Sequence, residues 1–161
     1  MRLITLCALI AVAATPALAR RAKPAMPLPP RGMDYVETVC TGGIDGRYEQ
    51  VRVLANGQVL KMTMRSNGVW YATATRREVA KIMRELDLAR FERRVVLPEK
   101  PYIMDGIDCS LTRGSNGRTY TLTLMQQSRL KPQYRDLARA LDDINELGRR
   151  ATGPILRSAS Q

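Results

Sequence analysis

The stretch DGIDCSLTRGSNGRTYTLTL, residues 105–124, sets the architecture of the chain. Gly114-Ser115-Asn116-Gly117 divides it, and glycine and asparagine accept the left-handed backbone that tight hairpin turns require. Beyond the turn, Thr119, Thr121 and Thr123 alternate with Tyr120, Leu122 and Leu124. A period of two predicts a strand with its threonines toward solvent and its larger apolar side chains toward a core. The halves therefore read as antiparallel strands over 105–113 and 118–125. The first carries Cys109, in a chain with three cysteines and no histidine.

Upstream, the same chemistry recurs. DYVETVCTGG (34–43) holds β-formers in partial alternation and ends at Gly42-Gly43, with IDG (44–46) adding turn residues. RYEQVRVLA (47–55) places Tyr48, Val51 and Val53 at strand positions, and Asn56-Gly57 is a dipeptide favoured in two-residue hairpin turns. QVLKMTM (58–64) reads as a third strand, and Asn67-Gly68 closes toward VWYATA (69–74).

Two helices follow from period and caps. Thr75-Arg76-Arg77-Glu78 has capping-box spacing, a hydroxyl at the N-cap and a carboxylate three residues on. Val79, Ile82, Met83 and Leu86 then recur at helical steps, predicting a helix over about 76–90 with Phe91 packing at its end. ERRVVLPEKPYIM (92–104), with two prolines, reads as a crossing loop. Pro132 suits the first turn of a second helix over about 133–150, whose buried stripe is Tyr134, Leu137, Leu141, Ile144 and Leu147. Its polar face, with Arg139, Asp142, Asp143, Glu146 and Arg150, reads as charge pairing within the helix. The expected fold is α+β: an antiparallel sheet of four to six strands with two helices on one face, in the order β-β-(β-β)-α-β-β-α.

Residues 1–19 read as a targeting segment: Met1-Arg2 is a short charged region, Leu3–Ala14 an apolar run, and Ala17-Leu18-Ala19 a small-x-small cleavage site. Twelve apolar residues are short of the roughly 20 needed to cross a bilayer, and no later segment is long and apolar enough to be transmembrane. The run continues past Cys7, which argues against lipidation there. The expected product is a periplasmic or secreted chain starting near Arg20. RRAKPAMPLPPRG (20–32) has four prolines and four basic residues, and 20–33 reads as a flexible tether outside the core. Residues 34–150 form one domain, and 151–161 a disordered tail. In an oxidising compartment Cys40 and Cys109 pair, or else lie as two separately buried thiols; small exported domains favour the pair.

Losing Arg2 with the targeting segment would turn a net charge of +11 into +10. Such a charge favours anionic partners. Export removes the nucleic-acid context, and the scattered aromatics offer no stacking platform. Anionic lipopolysaccharide, lipid or wall polymer, or an acidic protein, are the partners consistent with it. Without histidine, imidazole-dependent nucleophilic and metal chemistry is excluded, and with paired cysteines no thiolate nucleophile remains. No cofactor fingerprint or metal-ligand set is present. Asp45, Asp105 and Asp108 could form a carboxylate acid–base pair, but aspartate beside glycine is also ordinary turn chemistry. The expectation is a non-enzymatic binding module of unassigned oligomeric state. Its candidate contact residues are Gly42, Gly43, Ile44, Asp45, Gly46 and Arg47, in a glycine-rich loop beside Cys40. Arg76 and Arg77 join them, as cations in a first helical turn where the helix dipole disfavours them.

VCTGGIDGRYEQVRVLANG leads through a helix to LDLARF, and an aspartate-headed hairpin, MDGIDCSLTRGSNGRTYTLTL, precedes a last amphipathic helix. This order over residues 36–147 resembles the emfourin family, small bacterial inhibitors of thermolysin-like metalloproteases. The resemblance implies an α+β inhibitor fold, a metalloprotease as partner, and the double-glycine loop, Gly42 to Arg47, as a contact region. The cysteine pair, the arginine excess and the proline-rich N-terminal segment depart from the family pattern.

Overall fold

The computed structural model describes residues 25–43, 46–66, 68–91, 107–125 and 134–152. They form one six-stranded sheet and two helices. In chain order these are β1 (Tyr35–Gly42), β2 (Arg47–Leu54), β3 (Gln58–Thr63), β4 (Trp70–Thr73), α1 (Arg76–Leu88), β5 (Ile107–Ser115), β6 (Arg118–Met125) and α2 (Arg135–Arg150). The α+β class and element order are those expected. The targeting segment, residues 20–24 of the tether, the crossing loop, Pro132 and the tail from 153 lie outside the described residues.

All pairings are antiparallel, and the strands lie in the order β4-β3-β2-β1-β5-β6. The first strand thus sits inside the sheet, joining the N-terminal four-stranded half to the late hairpin. Cys40 faces Cys109 across the β1–β5 ladder, with their sulfurs 2.14 Å apart, a disulfide. The bond pins β1 to β5 through cysteines 69 positions apart in the chain.

Local chemistry explains the turns and caps. Ser115 pairs with Arg118, leaving a two-residue turn in which Asn116 (φ 50°) and Gly117 (φ 73°) are both left-handed. The β2–β3 connection differs from expectation. Val53 pairs with Val59, so the connection is wider than two residues, and of Asn56-Gly57 only Gly57 (φ 90°) is left-handed. Its carbonyl accepts from the Ala74 N–H at 2.7 Å, which ties this turn to the start of α1. At that start Thr75 and Glu78 complete the capping box. Tyr134, by contrast, stands at the N-cap of α2 and its side chain makes no capping hydrogen bond to that helix.

The helices cover one face of the sheet. Val36, Val51, Val53, Val59 and Leu111 meet Val79, Ile82 and Leu86 of α1 and Leu137, Ala140, Leu141, Ile144 and Leu147 of α2. Fully burying each larger aliphatic side chain contributes about 1.5–3 kcal/mol. Helix α2 lies close because Gly148 has no side chain: a Cβ there would stand 2.6 Å from a Val51 methyl. The charges of α2 do not all pair along the helix as expected. Asp136–Arg139 and Glu146–Arg149 do, but Asp143 reaches Lys81 and Arg150 reaches Glu78, joining α2 to α1.

The opposite face is covered by the chain's own N-terminal stretch. Leu54, Leu60, Met62 and Val69 form a second cluster, against which Met26, Met33, Tyr35, Tyr48 and Tyr71 pack. The described residues 25–33 therefore contribute to a core, contrary to their reading as a tether standing clear of it. Proline and basic composition obscured the two methionines that anchor the stretch. Farther along this face, past β1, Thr121 and Thr123 stand exposed as expected, and Thr112 shares a hydrogen bond with Thr121 at 3.0 Å.

Candidate functional site

At one end of the sheet β1 turns into β2 through Gly42–Arg47. Gly42 pairs with Arg47 on one side and Ile107 on the other. Gly42, Gly43 and Gly46 all have positive φ, at 114°, 76° and 59°, a path that glycine follows without strain. The Gly46 N–H donates to the Gly43 carbonyl at 3.0 Å. Two residues before Gly42, the disulfide fastens β1 to β5. Ile44 and Asp45, at the tip, lie outside the described residues.

The loop's downstream flank is charged. Arg47 is exposed and pairs with Glu49 at 2.7 Å, and Lys61 of β3 reaches the same carboxylate at 3.0 Å. Burial opposes ionisation of Glu49, but hydrogen bonds from Arg47 and Lys61 outweigh it and hold the carboxyl below its ordinary range. On the other side of β2, the Tyr48 hydroxyl donates to Gln50 at 2.7 Å. Burial and the nearby Glu37 push that phenol up. A rigid strand root with a paired arginine thus carries the loop.

Arg76 and Arg77 lie elsewhere. They open α1, which follows β4 at the end of the sheet where Gln58 meets Thr73 and Tyr35 meets Leu54. The loop sits where Gly42 meets Arg47, at the far end of β1. Eight residues of strand separate the two groups by roughly 23 Å. The structure therefore does not bring the two sets of candidate residues into one site. Both arginines are exposed, and neither has an acidic partner among the described residues. Their neighbour Glu78 is held to about 2 by the Thr75 backbone N–H, with Arg150 and the Thr75 hydroxyl adding to the effect.

Of the three aspartates weighed for acid–base work, Asp45 and Asp105 lie outside the described residues. Asp108 stands half-buried on β5 between Thr41 and Met125. Among the described residues no group of three or more cysteines, aspartates or glutamates is placed to hold a metal.

A different carboxylate is unusual. Glu85 of α1 is 5% exposed, and its Oε2 has no hydrogen-bond partner. Burial and the adjacent Asp143 of α2 push its carboxyl up, while Lys81, 3.9 Å away, partly offsets them. Sequence reading passed over it, although Glu85 sits three residues after Ile82 on the stripe that faces α2. Arg52 was missed as well. It is buried in β2, pairs with Glu37, lies 5.4 Å from the Tyr35 ring centroid and donates to the Pro27 carbonyl.

Among the described residues no helix is long and apolar enough to cross a membrane. Compared with the models of known protein families and with curated proteins, the chain matches none.

Proposed function

We propose that this chain is an exported, non-enzymatic binding module that presents its β1–β2 loop to a protein partner, a thermolysin-like metalloprotease. The observation that carries this reading is the anchoring of the loop. Gly42 is held by strands on both sides, and the disulfide lies two residues behind it. A binding element whose root is already held loses less entropy on binding, so more of its contact energy appears as affinity. The element order shared with the emfourin pattern supplies the partner class. The oxidising compartment that the cysteine pair requires agrees with the targeting segment read at the N-terminus.

The test is a titration of the processed chain, residues 20–161, against a thermolysin-like protease at low and high salt. The expected result is saturating inhibition at one-to-one stoichiometry, unchanged by salt. Slow cleavage of the chain, with no lasting inhibition, would remove the reading.

A second reading rests on the surplus of positive charge. Arg76, Arg77, Arg84 and Arg135 are exposed without acidic partners among the described residues. Adhesion to an anionic envelope surface would use them together with the basic N-terminal stretch. Such adhesion weakens with salt, because exposed charges are screened within about 8 Å at physiological ionic strength. Retention on anionic vesicles that does not change with salt would exclude it.

A further inference from the structure

The sheet face away from the helices has the chemistry of a peptide-recognition surface. Three of the chain's six tyrosines, Tyr35, Tyr48 and Tyr71, pack around Leu54, Leu60, Met62 and Val69. Arg52 projects a guanidinium that donates to a backbone carbonyl of the segment lying there, that of Pro27. The segment reads AMPLPPRGM over 25–33. Proline has no N–H and cannot join a sheet ladder, so such a stretch is held through side chains and its own carbonyls. The contacts follow that rule. Met26 and Met33 enter the apolar cluster, Arg52 holds the Pro27 carbonyl, and the Met33 N–H closes a turn onto the Pro30 carbonyl at 3.0 Å. Aromatic rings beside a donor aimed at a carbonyl are the means by which proline-rich segments are read.

We propose that this face is a docking site for an extended proline-rich segment of a partner protein, and that residues 26–33 are a resident occupant competing for it. Three observations make the occupant exchangeable. Leu28 is 88% exposed, so the middle of the segment is lightly held. Gly32, at φ 77° with open space around it, provides a hinge just before β1. Arg52 keeps Glu37 and the Tyr35 ring as partners when the segment leaves, so no buried charge is orphaned and the face stays formed. A tethered occupant acts at an effective concentration of order millimolar. A free peptide therefore binds only in proportion to the fraction of molecules whose own segment has lifted. The face reaches the root of the β1–β2 loop through Tyr48, but its test uses a peptide and no protease, so its failure is distinguishable from failure of the inhibitor reading.

The test uses the processed chain and a labelled peptide of residues 23–33, KPAMPLPPRGM, followed by fluorescence anisotropy. M26E places a carboxylate in the apolar cluster and releases the resident segment. M26E should bind the peptide at least about tenfold more tightly than the unsubstituted chain. Adding R52A should abolish that gain, and replacing the peptide's four prolines by alanine should weaken binding severalfold. A folded M26E that binds no peptide overturns the proposal, as does equal binding of the proline-free peptide. A concentration-dependent dimer of M26E that excludes the peptide also overturns it and assigns the face to a second copy. If M26E lacks a cooperative unfolding transition, the unsubstituted chain is titrated with peptide to about 1 mM, with the Tyr48 and Tyr71 ring resonances followed by NMR. Shifts confined to those rings support the proposal, and their absence overturns it.

Discussion

The two ends of this sheet are secured by different chemistry. The turn end is closed by hydrogen bonds. The Asp34 carboxylate accepts from the Ser115 hydroxyl and the Asn116 N–H, Ala55 donates to the Asp34 carbonyl, Gly57 meets Ala74, and Thr75 caps α1. The loop end is held by one covalent bond between strands distant in sequence and by the charge cluster of Arg47, Glu49 and Lys61. At the turn end the restraint is spread over several hydrogen bonds, each worth about 0.5–1.5 kcal/mol net. At the loop end a covalent bond two residues behind Gly42 and strand pairing on both sides hold the root.

Removing the fastening gives the largest expected effect. Changing both Cys40 and Cys109 to alanine should cost about 4 kcal/mol, the chain-entropy value for a loop of this length. Urea unfolding measures it, and a loss below about 1 kcal/mol would mean that the β1–β5 ladder holds the loop end unaided. Gly57→Ala strikes the other end. Its φ of 90° strains any other residue, and its Cβ would stand 2.5 Å from the Ala74 carbonyl oxygen. A loss of about 2–3 kcal/mol is expected; a negligible loss would show that the turn end has slack. Thr75→Ala removes the cap and should cost about 1 kcal/mol.

The remaining effects are pH dependences of opposite sign. Glu78 is depressed in the folded chain, so its stabilisation is complete above its ordinary value of 4.5 and is lost as pH falls toward about 2. Glu78→Gln, which removes the titrating group, should flatten stability over that acid range. Glu85 is raised in the folded chain, so it binds a proton more readily folded than unfolded, and stability declines as pH rises through its range. Glu85→Gln should remove that decline and add up to about 1 kcal/mol near neutral pH, since no charge is then buried beside Asp143. Thermal unfolding from pH 2 to pH 8 checks both signs.

Much of the fold could be read because its elements are locally self-consistent. The Thr119–Leu124 alternation, the Asn116-Gly117 turn and the Thr75–Glu78 box each state their conformation within a few residues. What could not be read depends on contacts between distant residues. Val51, Arg52, Val53 and Leu54 are all buried because β2 is covered on both faces, which erases the period-two signal. The second cover is the proline-rich stretch, whose composition points to solvent while Met26 and Met33 point inward. The separation of Arg76 and Arg77 from the loop follows from the chain path through β1 to β4, which no local motif encodes.

The most direct test of the account compares the two ends as binding elements. The processed chain, its Arg47→Glu variant and its Arg76→Glu/Arg77→Glu variant are titrated in parallel against a thermolysin-like protease at fixed salt. Arg47 holds the root of the anchored loop, so its reversal should weaken inhibition by about tenfold or more, the scale of a lost charged contact. The change at the helix start should leave inhibition within about twofold. Equal loss from both variants, loss only from the helix-start variant, or no inhibition by the unsubstituted chain would contradict the account.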